Sequence, residues 1–257
     1  MSKEGKKVVI VCPAYNAEKT LERTIADIPV GVAHEIILVD DCSQDNTVQK
    51  AKSLGLRVRV HDRNMGYGAN QKTCYTEALR AGADIVVMLH PDYQYDPRAI
   101  PALVQPILDG EADAVLGSRM MKGGALAGGM PLWKHNTNIL LTALENVVLQ
   151  TYLTEYHSGF RAYSADLLRT IYFERNSDDF VFDTQIIVQI LLHGFQIEEI
   201  PIRTSYFPGA SVIRFWPAVR YGLGILAVMV LFLLHRHVGL RIGAFESKPD
   251  SPRRVEH

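Results

Sequence analysis

Three short polar stretches each follow an apolar run and carry residue types suited to a charged, ring-bearing ligand. The first pairs Pro13-Ala14-Tyr15-Asn16 with Asp40-Asp41-Cys42-Ser43-Gln44-Asp45-Asn46-Thr47. A nucleoside needs a flat apolar wall and acceptors for base N–H and ribose hydroxyls. Tyr15, Asn16, Asp40 and Asp41 offer both. Asp45 and Asn46 equally suit the simpler task of capping the next helix. The second stretch, Asn64-Met65-Gly66-Tyr67-Gly68-Ala69-Asn70, places glycines before a helix, where backbone N–H groups can face an anion. The third, His90-Pro91-Asp92-Tyr93-Gln94-Tyr95-Asp96-Pro97, offers an imidazole, a carboxylate and an amide at alternate positions. Mg2+ or Mn2+ is usually held by one or two carboxylates plus phosphate oxygens, so His90, Asp92 and Gln94 are candidate metal ligands. A proline-bounded turn with Asp96 as a helix cap would use the same residues.

The elements that must position these stretches follow from hydrophobic spacing. Residues 7–12, 35–39, 57–61, 84–89 and 112–116 are short apolar or β-branched runs that predict strands. Between them, residues 17–28, 46–54, 68–81 and 97–108 predict helices, with Gly55 as a stop signal. Strands alternating with helices describe an α/β fold with a mostly parallel sheet covered on both faces. Ligands of such sheets bind beyond the carboxyl ends of the strands, where all three polar stretches fall. Downstream, residues 122–130 are Gly- and Ala-rich and predict a mobile loop. Residues 132–149 predict a long helix, 158–161 a turn, 183–192 a helix and 197–204 a late strand.

The combination VVIVCPAYN, IILVDDCSQDNT, NMGYGAN, an acidic strand-end motif, LGSR and SGFRAYS, in this order over residues 7–214, resembles family 2 glycosyltransferases of the GT-A fold, in particular the dolichyl- and polyprenyl-phosphate sugar synthases. The resemblance implies that Pro13, Tyr15, Asn16, Asp40 and Asp41 bind the nucleoside, with Gly66 and Asn70 also in the nucleotide-sugar site. It implies a divalent ion, Mn2+ or Mg2+, at an Asp-x-Asp motif that here reads His90-Pro91-Asp92. The histidine leaves one carboxylate where two are usual, and a nitrogen ligand suits Mn2+ better than Mg2+. Gln94 matches a glutamine that joins the metal shell. Arg119, Arg161 and, more loosely, Lys134 match bases that face donor or acceptor phosphates. Asp183 matches an acidic residue near the acceptor, a general base where the acceptor is an alcohol. The implied reaction is an inverting sugar transfer from a nucleotide sugar to a polyprenyl phosphate or other lipid-linked acceptor. A glycan hydroxyl acceptor, or a nucleotide-sugar-binding protein with impaired catalysis, is the alternative. A nucleotidyltransferase is disfavoured, because its Gly-rich basic turn is lacking after residue 12.

With 257 residues, the chain divides into a GT-A domain over 1–210, an apolar helix over 211–240 and a polar, disordered tail over 241–257. The net charge of -1 argues against a nucleic-acid partner. Cys12, Cys42 and Cys74 have no metal-ligand spacing and are expected as buried thiols. The five-residue apolar run before Pro13 is too short for a signal peptide, which points to the cytoplasm. Residues 221–234 carry no charge but fall short of a membrane span, and extending back to Phe215 takes in Pro217 and Arg220. Arg214, Arg220, Arg236 and Arg241, with Trp216 and Tyr221, suit a helix lying in a lipid interface at the cytoplasmic face of a membrane. Packing against the domain, or a homo-oligomer contact, is the alternative.

Overall fold

The computed structural model describes residues 5–206 and 215–249. A seven-stranded sheet has the order β3-β2-β1-β4-β6-β5-β7, with β1 (Val8–Ala14), β2 (Glu35–Asp40), β3 (Arg57–Val60), β4 (Ile85–Met88), β5 (Ala114–Ser118), β6 (Arg161–Ser164) and β7 (Ile197–Pro201). The helices are α1 (Leu21–Ala26), α2 (Thr47–Ser53), α3 (Tyr67–Arg80), α4 (Ile100–Asp109), α5 (Gly124–Ala127), α6 (Leu132–Leu149), α7 (Ala165–Thr170), α8 (Phe182–Leu192) and α9 (Phe215–Leu233).

The central strands are buried on both faces, which is why they read as unbroken apolar runs. Alternate residues feed two separate cores. Val9, Val11, Val86 and Met88 face one. Val8, Ile10, Cys12, Ile85 and Val87 face the other. β3, with Arg57 and Arg59, forms one edge of the sheet, and Arg57 pairs with Glu35 and Glu77. Charge on an edge strand discourages pairing with another chain.

All pairings are parallel except those of β6, which runs antiparallel to β4 and β5. Its first residue, Arg161, lies opposite Met88 and Leu116. β6 therefore starts where its neighbours end, and the loop before it joins theirs at one rim. Sequence reading took residues 158–161 as a turn and missed β6. The tetrapeptide Arg-Ala-Tyr-Ser has no β-branched residue and draws its order from two flanking strands.

Three further expectations are corrected. Residues 121–127 form short helical turns rather than a mobile loop. A Cβ on Gly124 would lie 2.9 Å from the Ile202 carbonyl oxygen, and one on Gly128 would collide with the Thr204 carbonyl, so the segment packs closely on the chain after β7. Residues 241–249 are not a disordered tail. Phe245 is buried, Gln189 Nε2 donates to the Ala244 carbonyl and Ser247 bridges to Ile171. Finally, α9 continues through a π-helical turn, Leu234–Val238, so that Trp216–Val238 is one 23-residue helix with a mean hydropathy of 2.0. It is long and apolar enough to cross a membrane by length and composition. Pro217 does not break it, because the first helical turn needs no backbone donor.

Ile225, Val228, Met229 and Phe232 form a buried stripe of α9 on the sheet's core. At about 1.5–3 kcal/mol per buried side chain, this stripe suffices to dock the helix. The opposite face leaves Trp216, Leu223, Leu226 and Val230 exposed. Of the basic flanks, Arg220, Arg236 and Arg241 are exposed. Arg214, within the stretch matched to the family motifs, lies outside the described residues, as does the end of the chain from residue 250.

Candidate active site

The carboxyl rim of the sheet encloses a cavity of about 670 Å³. Pro13, Tyr15 and Asn16 enter it from the end of β1, Asp41 from β2, His90, Asp92 and Gln94 from β4, and Arg119 from β5. Gly66 and Asn70 come from the start of α3, Lys134 from α6 and Asp183 from α8. Twelve of the fourteen residues singled out in the sequence thus share one hollow. The other two, Asp40 and Arg161, lie behind its wall.

Asp40 is 1% exposed. Its Oδ2 accepts the Ser43 N–H (2.9 Å), and its Oδ1 has no hydrogen-bond partner among the described residues. Asp41 binds the glycine turn: its carboxylate accepts the N–H groups of Met65 (2.8 Å) and Gly66 (3.0 Å), with His61 Nδ1 at 2.8 Å. Gly66, at φ +100°, adopts a conformation that few L residues reach. The acidic pair therefore builds the turn as well as one wall. Asn16 Oδ1 accepts the Gln44 N–H (2.8 Å), joining the first two strand tips. Asp45 Oδ1 accepts the Thr47 N–H at 3.0 Å, and Asp96 Oδ1 accepts that of Arg98 at 3.1 Å, so both aspartates serve the capping role.

At the tip of β4, Asp92 Oδ1 accepts the Gln94 N–H (3.1 Å). Burial pushes the Asp92 carboxyl up and the His90 imidazole down, leaving His90 neutral at pH 7 and able to ligate. The His90 ring stacks on Tyr67, with centroids 5.5 Å apart, and its Nε2 lies 3.4 Å from the Tyr67 hydroxyl. Among the described residues no three His, Cys, Asp or Glu side chains group as a metal cage. A lone carboxylate beside a neutral imidazole fits an ion that completes its shell with diphosphate oxygens, the common state of Mg2+ in phosphate sites. It does not fit an ion held by protein alone.

The two arginines differ in accessibility. Arg119 lines the cavity, yet Nε donates to Glu155 Oε1 (2.7 Å), Nη2 to the His157 carbonyl (3.0 Å) and Nη1 to the Tyr206 hydroxyl (3.1 Å). It is a fixed charge in the wall. Arg161 is fully enclosed, donating to the carbonyls of Ser158 (2.6 Å), Tyr156 (2.7 Å) and Asp183 (3.1 Å). Its guanidinium braces the loop into β6 and the start of α8, which corrects the expectation that it faces a phosphate. Lys134 reaches the cavity from the exposed side, where burial and nearby Arg119 lower its ammonium to about 8. Asp183 accepts hydrogen bonds from Tyr67 (2.8 Å) and Gln71 (3.1 Å), with Arg161 Nη1 at 3.6 Å. This clamped carboxylate is held still at the cavity wall.

Sequence reading missed the far bank, formed by Trp133 and Leu141 of α6, Phe180, and Pro217, Ala218 and Tyr221 of α9. These are ordinary helix residues, with Phe180 in the turn before α8, and none belongs to a motif. Tyr67 lay inside a quoted motif, but nothing in its spacing announced a bond to a residue 116 positions away.

A mixed sheet of this topology, with polar strand tips, a strand-end carboxylate at Asp92 and the fixed guanidinium of Arg119 around one hollow, has the architecture of a GT-A type transferase. The sequence profile described as Glycosyl transferase family 2 matches residues 9–172. The chain is similar to the UDP-N-acetylglucosamine–dolichyl-phosphate N-acetylglucosaminyltransferase of Methanococcus voltae, at 28% identity over 218 residues, covering 78% of this chain and 86% of that protein. It is also similar to the undecaprenyl-phosphate mannosyltransferase of Micrococcus luteus, at 26% identity, covering 76% of this chain and 82% of that protein. The fold matches glucosyl-3-phosphoglycerate synthase of Mycobacterium tuberculosis, solved with Mn2+, UDP-glucose and phosphoglyceric acid, with a TM-score of 0.68, 22% identity and coverage of 94% and 83% of the two chains. This protein belongs to glycosyltransferase family 2 and is a glycosyltransferase with the GT-A fold.

Proposed function

We propose that the protein transfers a sugar from a nucleotide sugar to a polyprenyl phosphate, with inversion, at the cytoplasmic face of a membrane. One observation carries this reading: the cavity has a polar bank of strand tips and an apolar bank of α6 and α9. The same two helices also leave Leu140, Val147, Trp216, Leu223 and Val230 exposed outside it. A phosphate on a hydrocarbon tail needs cations inside and apolar surface along its path. The two relatives named above carry dolichyl-phosphate and undecaprenyl-phosphate acceptors in their names.

Pro13, Tyr15, Asn16 and Asp41 hold the nucleoside. Asp92, with His90 and Gln94 beside it, would hold Mn2+ or Mg2+. When bound, the ion supplies Lewis-acid stabilisation of the departing diphosphate. Arg119 gives a fixed positive charge and Lys134 a movable one. A phosphate oxygen of the acceptor attacks the anomeric carbon opposite the leaving group, a C–O bond forms, and the bond to the nucleoside diphosphate breaks. That oxygen is already anionic, so no strong base is needed, and Asp183 orients the wall through Tyr67 and Gln71. The exposed apolar face of α9, flanked by Arg220, Arg236 and Arg241, rests in the lipid interface.

The test supplies labelled nucleotide sugars with Mn2+ or Mg2+ to the purified protein, with polyprenyl phosphate in detergent, and looks for a lipid-phosphate sugar by chromatography. Formation of that product supports the proposal. Transfer only to a glycan hydroxyl, or donor binding without transfer, overturns it.

A further inference from the structure

Asp92 and Gln94 both line the cavity, and Tyr93 between them turns the other way, onto the end of α1. It does so at φ +58°, in the left-handed region. Among the described residues the other non-glycine residues at positive φ are Asn16, Cys42, Lys122 and Gln150, so Tyr93 is the one aromatic. Asparagine accepts this conformation readily, whereas a bulky side chain there is an outlier that persists only where its surroundings hold it. Two groups hold Tyr93. Its hydroxyl donates to Asp27 Oδ2, and the Arg23 guanidinium lies 4.0 Å from the ring centroid, within cation–π range. Arg23 lies in α1 and Asp27 caps its end; four residues apart, they share one face of the helix.

The backbone on either side of this corner is fixed as well. Upstream, the Pro91 carbonyl accepts the Thr20 hydroxyl (2.6 Å). Downstream, the Gln94 carbonyl accepts the Ser205 N–H (3.0 Å), and Tyr95 bridges to Thr204. Asp92 and Tyr93 span the gap between these two points, and the Tyr93 side chain ties that span to α1. The Asp92 carboxylate accepts the Gln94 N–H from within its own turn, so its direction follows the backbone that carries it. A functional group of this kind must sit within roughly 0.5 Å of its productive place.

We propose that Tyr93, Arg23 and Asp27 are positioning residues for the divalent ion: the end of α1 grips the Tyr93 ring and so aims Asp92 and Gln94 into the cavity. The inference rests on the binding of that ion at Asp92 proposed above. A glycine at position 93 would adopt the same φ freely, but it would give α1 nothing to grip. The turn and the anchor can therefore be separated by substitution.

The test measures Mn2+ binding directly, by the relaxation of water protons as Mn2+ is titrated with the full-length protein in the presence of UDP and, separately, of GDP. Tyr93→Gly keeps the turn and removes the anchor. Asp27→Ala keeps the ring and removes the acceptor of its hydroxyl, and Asp27→Asn restores an acceptor of the same shape. Mn2+ affinity should fall about tenfold in Tyr93→Gly and Asp27→Ala, the lower end of what loss of a ligand-orienting partner costs, and return to within about twofold of wild type in Asp27→Asn. Affinity for the same nucleotide without metal should be equal in all these proteins. In transfer assays the two weakened variants should need more Mn2+ for half-maximal rate and approach the wild-type kcat once it saturates. Wild-type Mn2+ affinity in Tyr93→Gly, or an equal loss in Asp27→Asn, overturns the proposal and leaves the ion at Asp92. Metal-free nucleotide binding that falls in step with Mn2+ binding reduces the role to fold stability and overturns it too. A wild-type protein that takes up no Mn2+ with either nucleotide overturns the metal reading and this inference together.

Discussion

Adding a single methyl group at Gly159 tests how tightly the metal-side residues are seated. A Cβ built there lies 2.6 Å from His90 Nε2, 2.9 Å from His90 Cδ2 and 3.1 Å from the Tyr67 hydroxyl. Ordinary contacts of this kind are roughly 3.5–4.0 Å, so the imidazole must retreat by about 1 Å. Retreat is hindered, since the ring is stacked on Tyr67 at 5.5 Å, and Tyr67 is bonded to Asp183. Overpacking of this type costs about 1–3 kcal/mol. For a chain of this size that lowers Tm by ~2–4 °C per kcal/mol. A 1 Å displacement in a site can cost ~10²-fold in rate. Gly159→Ala should therefore lower both Tm and kcat/KM for transfer, measured by thermal melting and a labelled-sugar assay. His90→Ala should remove the steric part, so the double variant should be no less stable than His90→Ala alone. A Gly159→Ala protein with wild-type Tm and kcat/KM would refute the claim that His90 is held in place by the missing side chain.

Three further outcomes are expected. Asp92→Asn should reduce transfer ~10²-fold or more by removing the ion's carboxylate, while Tm holds or rises, because burial disfavours that charge; a fall in Tm with activity retained would contradict both parts. Affinity for a nucleoside diphosphate, followed by titration calorimetry, should fall as pH rises through about 8, where the Lys134 ammonium is lost. Lys134→Arg should keep the affinity level across that range, and a wild-type pH profile in this variant would remove Lys134 from the phosphate site. Leu223→Glu with Val230→Glu should abolish flotation with anionic liposomes and leave Tm unchanged, since both side chains are exposed; undiminished flotation would place the lipid contact elsewhere.

The strand tips were legible because doubly buried parallel strands must be apolar and must end in polar residues where a ligand binds. Pro13 to Asn16, Asp41 and the His90 to Gln94 stretch all arrive at the rim for that reason. The roles of Asp40 and Arg161 were not legible. A motif shows that a charge sits at a strand end but not whether it points outward, and both turned inward to satisfy backbone groups. Nor was the second bank legible. Trp133, His157 and Tyr221 lie on helices and a loop whose spacing encodes burial, and they meet only through tertiary packing. The apolar helix expected over 211–240 is present, but its length was not legible, because the uncharged run 221–234 alone is shorter than the helix, which takes in Pro217 and Arg220 at one end and His235 to Val238 at the other.

The buried stripe of α9 and the return of Phe245 to the core carry a consequence for biosynthesis. Residues up to 119 supply the strand-tip side chains, although β5 joins the sheet only through β6 and β7, and the opposing shore arrives only when residues near 217–221 have emerged and docked. A ribosome-bound nascent chain halted soon after residue 172 would thus carry most of the strand-tip residues proposed to hold the nucleoside on half a vessel open to water. Competence to move a sugar without losing it to solvent comes late, with the last helix.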